Sequence, residues 1–272
     1  MTAMVALFGF TLRQIFGQRK LWLAVALLLL PAAITVLIWA VGGEQTLKHR
    51  WEAYHVLMQM LIGLLVPLVC MLYGNALLGA EIEQRTIVYL LTRRLHRATV
   101  LLVRFAAVWL ALTVLCELAL LAAHLCATMS SEAVASPASG GSWQPWAAWC
   151  VYAGVTALGV AGYLAVFTTI SVVFARSLIV SVVYFVLFEL IIANLPLTAS
   201  AASITHHLRQ TVMDRMPEVR GLYDWPREVL EQVFPVGETG IDNLLLAVAV
   251  LLGLASVLVT FRELVPARVS RD

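Results

Sequence analysis

The sequence predicts an all-α integral membrane protein with six transmembrane helices. It adds an N-terminal interfacial helix, a short cytoplasmic helix between spans two and three, and an outer helical hairpin between spans five and six. Three observations carry this expectation. Of 272 residues, 61% are hydrophobic and 12% charged, whereas soluble domains are roughly 45–50% apolar and about 25% charged. Mean hydropathy is +0.90. Six separate apolar runs have about the 20 residues that a helix needs to cross a bilayer. A soluble enzyme is excluded on these grounds. The net charge of +2 is too small for a nucleic-acid binder's electrostatic footprint.

Residues 1–20 precede the first run. Val5, Phe8, Leu12, Ile15 and Phe16 share one helical face, and Arg13, Arg19 and Lys20 gather at the far end. The pattern reads as an interfacial helix on the inner leaflet, with a plain extension of span one as the alternative. The first span is Leu21–Val41. It is too long for the apolar core of a signal peptide, and no small-residue cleavage site follows it, so no cleavable leader is expected. The second span is Val56–Ala80, the third Ala98–Ala127 with Glu117 inside it, and the fourth Trp146–Phe174. The fifth is Leu178–Leu197, containing Glu189, and the sixth is Asn243–Phe261. No internal repeat is visible, so 1–272 reads as a single membrane domain.

Three connections separate the spans informatively. Residues 81–97 run acidic, then apolar, then basic: Glu81 and Glu83, then Ile87, Leu90 and Leu91, then Arg93, Arg94 and Arg97. A positive-inside loop explains the arginines but not the order, and exposed apolar residues beside charge suggest a surface for another protein. Ser130 to Pro145 is a plain Ser/Gly/Pro-rich loop. Residues 198–240 are too many for a structureless connection in a compact protein. Ile204, Leu208 and Val212 recur there every four residues, and Val229, Leu230, Val233 and Phe234 follow Pro226. Two short amphipathic helices lying on the membrane surface fit both patterns.

Orientation follows from the basic residues. With both termini in the cytoplasm, twelve of the Lys and Arg side chains fall inside and six outside, four of the six in the long 198–240 segment. Six of the eight tryptophans, Trp146 and Trp149 among them, then fall near the outer interface, where amphipathic rings prefer to lie.

With these features the chain resembles the transmembrane permease subunits of ATP-binding cassette (ABC) transporters of the type-2 group. That family has six spans, cytoplasmic termini, an interfacial helix at the start and an outer hairpin between spans five and six. Its loop between spans two and three carries a glutamate, a threonine, an apolar residue, a leucine pair and an arginine followed by proline. Glu83, Thr86, Ile87, Leu90, Leu91 and Arg93 or Arg94 match in kind, and Leu95 stands where the proline would be. The likeness covers the whole topology, but its motif covers only about fifteen residues of 81–97. It implies that this segment is a coupling helix docking on a separate ATPase subunit through Glu83, Arg85, Thr86, Ile87, Leu90, Leu91, Arg93 and Arg94. It further implies a multi-pass exporter of the bacterial inner or plasma membrane, paired with a second copy or a related permease. ATP and Mg²⁺ would sit on the partner.

The remaining signals are ionisable or polar groups inside the spans. Glu117 and His124 lie near one face of span three, and span five holds Glu189 and, further on, Asn194. Charge at a helix centre costs roughly 2.5–3.5 kcal/mol on insertion scales, so such groups face protein or water. They are either a substrate path or proton site, or hydrogen-bonded contacts between helices. A proton- or ion-coupled carrier using Glu117 and Glu189 is therefore the alternative function, although no inverted repeat supports it.

Catalytic signatures are missing from the sequence. Neither lysine, Lys20 or Lys48, follows a Gly-rich loop, so no P-loop is expected and the chain is not read as an enzyme or as holding a cofactor. No metal-ligand spacing occurs. The His206-His207 pair reads as solvated, and Cys70, Cys116, Cys126 and Cys150 as buried thiols, with a Cys126–Cys150 bridge as a weaker option.

Overall fold

The computed structural model describes residues 2–17, 20–41, 50–83, 97–128, 145–174, 176–195, 198–223, 226–235 and 240–261. Every regular element among them is helical. Six helices are long and apolar enough to cross a membrane: Lys20–Leu37, Glu52–Leu77, Ala98–Thr128, Trp146–Val173, Ser177–Asn194 and Gly240–Thr260. They coincide with the expected runs to within a few residues at most ends.

The helices are α1 (Thr2–Phe16), α2 (Lys20–Leu28), α3 (Leu30–Val41), α4 (Arg50–Met60), α5 (Val66–Glu83), α6 (Arg97–Thr128), α7 (Pro145–Val173), α8 (Ser177–Tyr184), α9 (Ile204–Arg215), α10 (Arg227–Val233) and α11 (Gly240–Phe261). Two spans are interrupted where proline removes a backbone donor. Span one breaks between α2 and α3 just before Pro31. Span two passes through a π turn, Leu61–Leu65, just before Pro67, where Val66 N–H reaches back to the Leu61 carbonyl. Span five widens into a π turn over Phe185–Ile191, which carries Glu189, and ends in a 3₁₀ turn at Asn194.

The fourth span is the axis of the bundle. α7 packs against α5, α6, α8, α9 and α11, and its Tyr152, Tyr163, Leu164 and Phe167 are fully buried. The approach of α5 is close because Gly74 has no side chain: a Cβ there would lie 2.7 Å from Phe167 Cβ. Polar ties cross the interfaces. Trp109 Nε1 donates to the Ala157 carbonyl at 3.2 Å. Ser181 Oγ donates to Asn75 Oδ1 at 3.0 Å. Helix α1 packs on α6 with Thr11 and Ile15 buried, while Val5 and Phe16 of the expected stripe are exposed.

The segment after span five departs from expectation. Helix α9 is not a surface helix: most of its residues are buried, and it packs between α7 and α11. Ile204, Leu208 and Val212 enter the main core, as their spacing requires. Its other side is covered as well, because Met213 joins Leu230, Val233 and Phe234 in a second small core. Helix α10 thus caps what the amphipathic pattern alone leaves open to the membrane surface.

Candidate functional site

Polar chemistry gathers at the end of the bundle where α7 begins and the 198–235 segment folds in. Three groups of residues build it.

The first is the Glu189 knot. Its carboxylate is 1% exposed and is surrounded by donors. Oε1 accepts from Tyr184 OH at 3.0 Å and from Ile204 N–H at 3.1 Å. Oε2 accepts from Thr205 N–H at 2.9 Å and Thr205 OH at 2.6 Å, with the Tyr163 oxygen 3.3 Å away. Thr205 spends its one hydroxyl proton on the carboxylate, so Tyr163, 2.8 Å from Thr205 Oγ1, supplies the proton of that contact. Every bonded neighbour donates, which is the complement that an acceptor-only carboxylate needs. Ile204 and Thr205 are the first two residues of α9, and Ser203 Oγ accepts from the third, His206 N–H, at 3.1 Å. Glu189 and Ser203 together satisfy three amides that a helix start leaves open, and the carboxylate sits at the favourable end of the helix dipole.

The second is an aromatic–histidine cluster formed by α4, α6 and α7. Tyr54 OH pairs with His124 Nδ1 at 2.9 Å, and His55 Nδ1 with Tyr152 OH at 2.6 Å. All four side chains are buried. His124 lies against Trp146, with ring centroids 4.9 Å apart. One turn along, Tyr223 donates to Gln59 Oε1 at 2.7 Å and ties the hairpin segment to span two.

The third is a row of buried polar atoms with no hydrogen-bond partner among the described residues. On α6 these are Thr113 Oγ1, Glu117 Oε2 and His124 Nε2; on α7 they are Trp149 Nε1 and Thr156 Oγ1. The spacings put each set on one face of its helix, and the two helices pack together. Leaving such a group unpaired costs about 1–3 kcal/mol, so each atom of the row carries an unmet demand for a partner.

The residues expected to act therefore fall into different situations. Glu83 closes α5; Arg85, Thr86, Ile87, Leu90, Leu91, Arg93 and Arg94 lie outside the described residues. Glu117 and His124 share the polar row, Glu189 is held wholly by protein donors, and Asn194 is exposed and donates to its own helix at Leu190 O. Arg104, one of the twelve basic residues that the sequence reading assigns to the inside, is buried and donates from Nη1 to the Leu77 carbonyl at 3.2 Å.

Two expectations are corrected. His206 is not solvated: it is 3% exposed, bonded to Ser200 Oγ at 3.0 Å and stacked on Phe234 at 4.6 Å. Burial first, then the neighbouring His207 and Arg209, lowers its pKa to about 4, and burial lowers His207 as well. The four cysteines are free; Cys70 and Cys116 are buried, but Cys150 is exposed. The sequence reading missed His55, although a Tyr-His pair within an apolar span is a visible signal. Among the described residues no group of three or more His, Cys, Asp or Glu could hold a metal.

Compared with known proteins, the chain matches no protein-family model and no curated protein sequence.

Proposed function

We propose that this protein is the permease subunit of an ATP-driven ABC transporter resembling the type-2 group, working as an exporter. The observation that carries the reading is the arrangement of six apolar spans with a helix before the first and a folded helical segment between the fifth and sixth. The segment between spans two and three adds its ordered acid–apolar–basic sequence. In this reading both termini are cytoplasmic and residues 81–97 dock on a separate ATPase. Two permease copies form the pathway, and nucleotide closure in the ATPase pair moves the docking segments and switches the cavity between sides. The polar row of Glu117, His124, Trp149, Thr113 and Thr156 gives a solute its contacts, while Glu189 holds the hairpin. That use of Glu189 weighs against the proton-coupled alternative, which needs a carboxylate free to exchange its proton.

The experiment is copurification of the tagged permease from its native membrane. An ATPase subunit should accompany it. Replacing Ile87 and Leu91 together with Asp should release the ATPase while the permease stays inserted. A double variant that retains its ATPase would remove 81–97 as the docking element, and a wild-type permease that brings no ATPase would overturn the reading.

A further inference from the structure

Residues of α7, α9 and the start of α11 line an open cleft of about 330 Å³. Its wall is apolar, built from Val151, Gly154, Leu158 and Ile241, and Arg215 stands at its edge on the last turn of α9. The size lies at the low end of small-molecule pockets, roughly 300–1,000 Å³, enough for a slender chain and too little for a bulky head. The cleft starts about one turn along α7 from Trp146, whose ring is 56% exposed. Exposed tryptophan at the end of a span marks the bilayer interface, so the cleft opens at the depth where acyl chains begin.

Charge identifies the head of the occupant. Arg215 is exposed and makes no ion pair among the described residues. Its sequence neighbour Asp214 pairs through Oδ1 with Arg220 at 3.5 Å and also feels the Arg215 charge, and Asp242, next to Ile241, is already engaged. Thr211, also on the wall, spends its hydroxyl proton on the His207 carbonyl at 2.8 Å. The Arg215 guanidinium is an exposed cation on the cleft lining, and its planar fork suits phosphate oxygens.

We propose that this cleft binds a bilayer phospholipid with an anionic headgroup, one acyl chain lying against Gly154 and Leu158 and the phosphate on Arg215. The assignment rests on the membrane-spanning fold and not on ATPase docking, so it stands or falls separately from the transporter reading.

Gly154 supplies the test, because a Cβ there meets nothing within 4 Å. Gly154→Leu puts a side chain into the cleft from a position whose Cβ presses on no protein atom. The purified permease, stripped of lipid in detergent, is titrated with palmitoyl-oleoyl phosphatidylglycerol or phosphatidylcholine and read by native mass spectrometry. Wild type should retain phosphatidylglycerol in preference by roughly two- to fivefold, the worth of one exposed ion pair, because the choline cation of the other lipid offsets the phosphate that both carry. Arg215→Gln should erase the preference, and Gly154→Leu should remove one bound lipid of either kind while eluting as wild type on gel filtration. Equal retention of the two lipids by wild type overturns the proposal whatever the variants do. So does a Gly154→Leu protein that elutes normally and keeps the full lipid count.

Discussion

Glu189 shows how a costly residue can be accommodated inside a membrane bundle. Four donors bond its two oxygens, and two of them are backbone amides that cannot move away without unwinding α9. Glu189→Gln replaces one acceptor by an NH₂ group aimed at donors. We expect this isosteric change to destabilise the fold by about 1–3 kcal/mol, seen as a lower thermal midpoint in detergent; an unchanged midpoint would mean the knot contributes nothing. The sequence marks Glu189 as an intramembrane acid needing partners, but not which ones, because they lie 5 or more residues away on other stretches of chain. His206 makes a second prediction. Its folded pKa, about 4, lies below the ordinary 6.5, so the unfolded state binds the extra proton as pH falls. The stabilisation from the neutral ring is complete above about pH 6.5 and is lost as pH falls towards 4. Protection factors of the α9 amides, from which the intrinsic rate is divided out, should therefore be lower at pH 5 than at pH 7.5, and His206→Gln should remove most of that difference.

At the scale of elements, periodicity locates helices well and depth poorly. The Ile204–Leu208–Val212 stripe identifies α9, yet the same stripe serves a helix floating at an interface and one inserted between two spans. The decision comes from Phe234 stacking on His206 and from Leu230 and Val233 beside Met213, contacts that no local pattern contains. Insertion also depends on one glycine. A Cβ at Gly240 would lie 2.5 Å from the His207 carbonyl oxygen and 3.1 Å from Thr211 Oγ1, and the carbonyl is backbone that cannot swing aside. Gly240→Ala should force α11 off α9 and destabilise the bundle by about 1–3 kcal/mol, as overpacking does. Gly253→Ala in the same helix meets nothing within 4 Å and is the control. Thermal midpoints of the two variants in one detergent decide the matter: equal values would show that the α9–α11 contact gives way without strain.

For the whole molecule, spans two and four form the interior and spans one, five and six its rim. The rim turns apolar side chains outward, Leu246 and Val250 on α11 and Ile179 and Val183 on α8 among them. Lipid, or a second copy within it, is the medium that suits such faces. The six spans are legible in the sequence because an unbroken run of about 20 apolar residues has few other uses. The histidine cluster is not, because its two hydrogen bonds join residues 70 and 97 positions apart. Orientation rests on the twelve-to-six division of Lys and Arg and makes the last prediction. Two exposed glycines, Gly9 on α1 and Gly221 in the hairpin segment, have open space where a Cβ would stand, so each accepts Cys without repacking. With the four native cysteines replaced by Ser, Gly221→Cys should react with a membrane-impermeant maleimide on intact cells. Gly9→Cys should react only after permeabilisation. The basic residues flanking the Gly9 side resist translocation, which is why the two sites should differ. The reverse pattern would invert the molecule, placing 81–97 outside the cell and out of reach of any cytoplasmic ATPase.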